Sequence, residues 1–171
     1  NQGFLMNRQK DTNALNLTSD EEYVTLPSQA LSGAFTISMW INPLDIASVN
    51  LLGLSSANTD YLWIEADGDI GIVSSDLNIT FADSNITAGV WQYITITRDG
   101  SNVPKFYKNG ALIETESADA GTFTFDQIGR YYNGSTDNFF DGSIDDFLLY
   151  SKALTLAEIT RNYNAGKRSH R

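Results

Sequence analysis

The sequence predicts an all-β fold, a two-sheet antiparallel β-sandwich closed by one short C-terminal helix. Three observations predict it. Turn signals, among them Asp67-Gly68, Asn109-Gly110 and Asp141-Gly142, recur at intervals of about 10 to 15 residues, the spacing of a sandwich. Phe35–Ile41 alternates between an apolar set (Phe35, Ile37, Met39, Ile41) and Thr36, Ser38 and Trp40. That is the pattern of a strand with one face on a core. A single helix signature follows the last strand.

Taken in order, Asn1–Lys10 is polar apart from Phe4, Leu5 and Met6. Residues 1–13 read as an N-terminal segment or linker, and no signal-peptide apolar run is present. There is no initiator Met. The chain is therefore processed, excised from something longer, or numbered from its first ordered residue. Ala14–Pro27 reads as an edge strand, an acidic loop (Asp20, Glu21, Glu22) and a second short strand ended by proline. In Phe35–Ile41, Trp40 on the polar face needs cover or a ligand, and packing is the expected role. Leu51–Leu54, Tyr61–Ala66 and Leu77–Phe81 are further strands. Asp67-Gly68 reads as a two-residue hairpin turn.

Trp91–Thr97 is a strand. Lys105–Lys108 and Ala111–Glu116 form a hairpin about Asn109-Gly110, a type I′ signal. Phe123–Gly129 and the segment before Phe139 complete the sheets. Ser143–Tyr150 is the last strand, interrupted by Asp145 and Asp146. Thr155–Tyr163 is the helix. Thr155 and Glu158 make a capping box, and Leu154 with Ile159 makes a hydrophobic staple. Ile159 and Tyr163 share a face, and Gly166 is the expected C-terminal stop.

Three stretches resemble the laminin-G-like, concanavalin A-like jelly-roll domains. They are AFTISMWINP at Ala34–Pro43, GVWQYITITRDGSNVPKFYKNGALIETES at Gly89–Ser117, and DGSIDDFLLYSKALTLAEITRNYNAG ending at Gly166. They occur in the family's order, so the resemblance implies one jelly-roll domain over residues 14–166. Residues 167–171, KRSHR, are left as a basic tail, expected to be solvated; a docking or processing segment is the alternative. Two departures stand out. The family's early F-D-G turn is replaced by Leu17-Thr18-Ser19, and Leu148 stands where the family is commonly polar. The second departure implies an outer face covered by something.

Composition narrows the function. The net charge is −10 over 171 residues, which argues against phosphate-directed nucleic-acid binding. There are no cysteines, so disulfides and thiolate chemistry are excluded. No apolar run approaches the ~18 residues of a membrane helix, so no membrane insertion is expected.

Enzymatic chemistry finds little support. Relatives of this architecture that cleave glycosides place carboxylates along one strand face. Here the nearest match, Glu65, Asp67 and Asp69, straddles a turn. The sole histidine, His170, is next to the last residue, where nothing is expected to hold it. No catalytic residue is assigned.

Two site expectations remain. Simple alternation puts Asp145 on the face shared by Phe147 and Leu149, which the family pattern makes the inner one. A carboxylate there must be hydrogen-bonded, paired or bound to a metal. The resemblance implies a structural calcium held by Asp145 with Glu22 or Asp20; a carboxylate satisfied by backbone NH groups is the alternative. For ligand binding, Tyr131, Tyr132, Asn133 and Asn138 offer aromatics and amides for sugar stacking and hydroxyls, and Tyr61 with Trp63 offers a second platform. Packing at the sheet edge is the alternative for both. Asn16, Asn78, Asn85 and Asn133 each begin a glycosylation sequon.

The reading that follows is a non-catalytic binding or adhesion module, outside the cell or on a cell or virion surface, whose partner is a glycan or a protein. The alternative is a structural or decoration subunit that assembles with other copies; a glycoside hydrolase is a distant third.

Overall fold

A computed structural model of the chain describes residues 14–18, 21–47, 49–56, 58–132 and 137–170. The strands in order are β1 (Leu15–Leu17), β2 (Val24–Leu31), β3 (Phe35–Pro43), β4 (Val49–Gly53), β5 (Tyr61–Ile64), β6 (Ile70–Val73) and β7 (Asn78–Phe81). Then come β8 (Gln92–Arg98), β9 (Pro104–Lys108), β10 (Ala111–Thr115), β11 (Phe123–Ile128), β12 (Arg130–Tyr132), β13 (Asp137–Phe139) and β14 (Gly142–Tyr150). The helix α1 spans Leu156–Gly166.

Two six-stranded sheets form, in the orders β1-β14-β3-β8-β9-β10 and β2-β11-β4-β5-β6-β7. All their pairings are antiparallel. β12 and β13 make a separate two-stranded ribbon. The expected fold class is therefore present.

The core lies between the sheets. Ile37, Met39 and Ile41 of β3 join Ile94 and Ile96 of β8 from one side; Leu62 and Ile64 of β5 and Ile70 and Ile72 of β6 come from the other. All are essentially removed from water, at about 25 cal/mol per Å² of apolar area buried. Burial of every second residue fixes the register, because a one-residue slip would turn each apolar set outward.

Local chemistry explains most turns. Asn109 and Gly110 both have positive φ, 53° and 81°, as a type I′ turn between Lys108 and Ala111 requires. The Asp67-Gly68 turn differs from expectation. Glu65 N donates to Asp69 O at 2.8 Å and Gly68 N to Glu65 O at 2.9 Å. The loop is thus three residues, Ala66–Gly68, with Gly68 at φ 92° in the left-handed position such loops use. Nor does Pro27 end its strand. β2 is the edge of its sheet, where a missing NH is tolerated, and the β2–β11 register shifts beside it.

One buried cation was not foreseen. Arg98 is fully buried. It donates to the carbonyls of Gly33 (2.7 Å), Asp119 (3.2 Å), Gly121 (2.5 Å) and Leu31 (3.4 Å). Its guanidinium lies 4.9 Å from the Phe35 ring centre. One planar, many-donor group thus ties the β2–β3 turn to the loop before β11.

Candidate functional site

Two faces of the sandwich carry chemistry, the outer faces of the two sheets. The first is covered and the second is partly open.

On the first sheet, β14 contains a bulge. Asp145 pairs with Trp40, but the next pair is Leu148 with Ser38. One extra residue therefore enters β14, and Asp146 takes φ 47°. Asp146 N donates to Asp145 Oδ1 at 2.7 Å. The bulge changes the phase of the strand, so Ile144 and Phe147 both enter the core. Asp145 turns outward beside Trp40. The expectation that Asp145 faces the core is corrected here, because strict alternation cannot anticipate an inserted residue.

Helix α1 covers that outer face. Its N-terminus is the expected capping box, with Thr155 N donating to Glu158 Oε2 (2.8 Å) and Glu158 N to Thr155 Oγ1 (3.3 Å). Lys152 Nζ lies 2.6 Å from Glu158 Oε1, and that hydrogen bond, followed by the Thr155 cap, holds the Glu158 carboxyl down at a pKa of about 2. Ile159 and Leu154 are buried with Tyr107. Tyr163 stacks on Trp40 with ring centres 5.5 Å apart. Trp40 is therefore a packing residue under the helix.

Gly166 ends the helix, but not as a left-handed stop. A Cβ there would stand 2.2 Å from Trp40 Nε1. Its role is close approach of the chain to the indole.

His170 corrects a second expectation. It is 8% exposed. Its ring stacks on Trp40 at 4.4 Å and 9° and meets the edge of Trp91 at 4.7 Å. Nδ1 lies 2.9 Å from Gly166 O and Nε2 3.0 Å from Asp145 Oδ2. Burial opposes its charge, but the Asp145 carboxylate, the Gly166 carbonyl and Asp146 outweigh burial and raise its pKa. The segment read as a solvated tail therefore docks through His170. Sequence separation hid this: an isolated histidine near a terminus carries no pattern.

These contacts bear on calcium. Asp145 is engaged by His170 and Asp146 N, and Glu22 accepts from Thr18 N at 3.1 Å. Asp20 lies outside the described residues. Among the described residues no group of three or more His, Asp or Glu is placed to hold a metal ion. Glu65, Asp67 and Asp69 belong to one tight turn, as expected, and both ring nitrogens of His170 are occupied.

On the second sheet, Leu62 and Ile64 point inward, so Tyr61 and Trp63 point outward. Cross-strand partners place Asn50 beside Trp63, Gly53 beside Tyr61, and Gln127 beside Gly53 on that outer face. The ribbon β12–β13 folds over this face. A Cβ on Gly53 would stand 2.3 Å from Arg130 O, so the ribbon backbone rests directly on β4.

That docking brings Tyr131 to Tyr61, with ring centres 4.4 Å apart. Tyr61 in turn meets Trp63 at 5.1 Å, edge to face. The two platforms expected separately are therefore one cluster. Tyr131 is mostly buried and donates to Asn58 O at 2.6 Å; Tyr61 and Trp63 are partly exposed. The Trp63 indole crosses over Gly71, where a Cβ would stand 1.9 Å from Nε1.

Among the described residues, Trp63 Nε1, Asn50 Oδ1 and Gln127 Oε1 are shielded from solvent and have no hydrogen-bond partner. Such atoms are uncommon in folded proteins and call for an explanation. Burial, then Glu65, raises the Tyr61 pKa; burial, then Tyr61 and Asp60, raises that of Tyr131. Both phenols stay neutral hydrogen-bonding groups.

Tyr132 and Asn138 complete the ribbon. Asn138 lies opposite Tyr131. Tyr132 faces away with Arg130, whose guanidinium is 5.9 Å from its ring and 4.6 Å from that of Tyr23. Asn133 falls outside the described residues. Asn50, Gln127 and Gly71 were missed in the sequence, because only strand register makes them neighbours of Trp63 and Tyr61.

No curated protein matches the sequence. Among solved structures, the carbohydrate-binding module CBM40 of the Ruminococcus gnavus IT-sialidase, bound to α2,3-sialyllactose, superposes with a TM-score of 0.63 at 19% identity. That match covers 78% of this chain and 83% of the other. The ligand-binding domain of botulinum neurotoxin serotype D in complex with N-acetylneuraminic acid gives 0.59 at 20% identity, covering 84% of this chain and 39% of that one. A heptameric SAP-like pentraxin from Limulus polyphemus gives 0.54 at 18%, covering 86% and 78%. The chain spans less than half the length of the toxin domains it matches. At these identities the likeness concerns the fold. The sequence itself matches a defined family over residues 18–160, and the chain belongs to the concanavalin A-like lectin/glucanases superfamily.

Proposed function

We propose that the protein is a non-catalytic carbohydrate-binding module, acting outside the cell or on a cell or virion surface, and that the outer face of the second sheet is its binding face. One observation carries this reading: the ribbon delivers Tyr131 to Tyr61 and Trp63, making one aromatic cluster that remains partly open. Sugars bind proteins by laying their CH faces on aromatic rings while polar groups at the edge meet the hydroxyls. The structural neighbours that bind sialylated ligands support the class of function, without fixing the ligand.

The test is isothermal titration of purified protein against a panel of oligosaccharides, with Trp63→Ala and Tyr61→Ala as variants. Binding to a panel member, weakened tenfold or more by either variant while the thermal transition is retained, is the expected result. Binding that survives both variants would move the site elsewhere.

A further inference from the structure

Charge is distributed unevenly along this chain. No lysine or arginine occurs between Lys10 and Arg98. That stretch supplies β2 and β4 through β7 of the second sheet, with every connection from β4 to β7. The remaining strand of that sheet, β11, carries Asp126 and no base. Acids are frequent there: Asp60, Glu65, Asp67, Asp69 and Asp76 all lie in its loops.

The described cations lie elsewhere. Arg98 is buried on backbone carbonyls. Lys105 and Lys108 belong to β9 of the first sheet, and Lys108 is held by the carbonyls of Ser84 and Asn85. Arg161, Lys167 and Arg168 belong to the helix and the segment just after it, at the end that covers the first sheet, and Lys152 pairs with Glu158. Arg130 is the described cation nearest the cluster in sequence, and its guanidinium stacks on Tyr23.

We propose that the aromatic face of the second sheet selects neutral, hydroxyl-rich glycans and rejects glycans bearing a carboxylate or sulfate. This rests on the glycan reading above and gives it a ligand class. Protein sites hold sugar acids with charge-assisted bonds from arginine or lysine, and none of the strands of this sheet supplies one. Glu65 acts electrostatically on the Tyr61 hydroxyl and Asp60 on that of Tyr131. An anionic sugar on the cluster therefore meets like charge, the repulsive element by which surfaces refuse wrong partners. A neutral sugar instead offers hydroxyl donors to the same acceptor-rich rim. The sialylated ligands of the structural neighbours are accordingly not expected here.

The experiment uses neutral and acidic pairs: lactose with 3′-sialyllactose and cellobiose with cellobionate, each acidic member carrying one carboxylate, and digalactose with digalacturonate, which carries two. Each is titrated against the intact protein at low and at high salt. The expected result is binding of at least one neutral member, with its acidic partner about tenfold weaker at low salt. The gap should narrow as salt screens the repulsion. Glu65→Gln should narrow it as well. An acidic member that binds as tightly as its neutral partner, or more tightly, would overturn the charge selection and leave the glycan reading standing. Failure of every saccharide of both kinds would overturn both together.

Discussion

His170 Nε2 sits 3.0 Å from Asp145 Oδ2, and Nδ1 of the same ring sits 2.9 Å from Gly166 O. Both neighbours are acceptors. Only the protonated imidazole, with two NH donors, satisfies them together. The chain end is thereby latched onto Trp40 and the β14 bulge by a charge.

The sign of the pH dependence follows. The His170 pKa is raised in the folded protein above its ordinary value of 6.5. The stability it contributes is fully present below about 6.5 and is lost as pH rises through the folded pKa. There is one histidine in the chain, so its imidazole signal in a proton–carbon NMR titration is unambiguous. The midpoint should lie above 6.5 in the wild type and fall in Asp145→Asn. A midpoint unchanged by that substitution would mean that the pair does not set the charge.

The helix should behave as a packed element. Ile159 is fully buried, so Ile159→Ala should cost about 2–5 kcal/mol in chemical denaturation. Thr155→Ala, which removes one side of the capping box, should cost about 1 kcal/mol. Equal effects of the two would show that the helix is held by its cap alone.

Arg98 should be irreplaceable by a residue of similar length. Arg98→Met leaves the carbonyls of Gly33 and Gly121 without their donor, and each buried unsatisfied acceptor costs about 1–3 kcal/mol. Arg98→Lys should recover only part of the loss, because an ammonium cannot reproduce the guanidinium fork. Urea midpoints of the three proteins check this.

Gly71 should couple stability to the binding face. A methyl group at this position would collide with the Trp63 indole. Gly71→Ala should therefore destabilise by about 1–3 kcal/mol, as overpacking does, and should change the Trp63 fluorescence. An unchanged emission spectrum would mean that the indole does not rest on Gly71.

Most of the fold was legible in the sequence because its signals are local. Asn109-Gly110 fixed a hairpin, Thr155 and Glu158 fixed a helix start, and Phe35–Ile41 marked an inner strand. What was not legible depends on register or on distance along the chain. The bulge after Asp145 inserts one residue, and Asp145 faces outward beside Trp40 rather than into the core. His170 and Trp40 are far apart in sequence and meet only because α1 folds back. The aromatic cluster was half legible. Tyr61, Trp63 and Tyr131 were each recognisable as candidates, but only the docking of the ribbon on Gly53 makes them one surface.

The most direct measurement of that surface uses the three tryptophans. Each gives one indole NH signal in a proton–nitrogen spectrum. Trp40 is buried under α1 and Trp91 meets His170, while Trp63 belongs to the open cluster. On titration with a neutral oligosaccharide that binds, the Trp63 signal should move and those of Trp40 and Trp91 should stay in place. Saccharide-dependent movement confined to Trp40 or Trp91, with Trp63 unmoved, would contradict the assignment of the second sheet's outer face as the binding site.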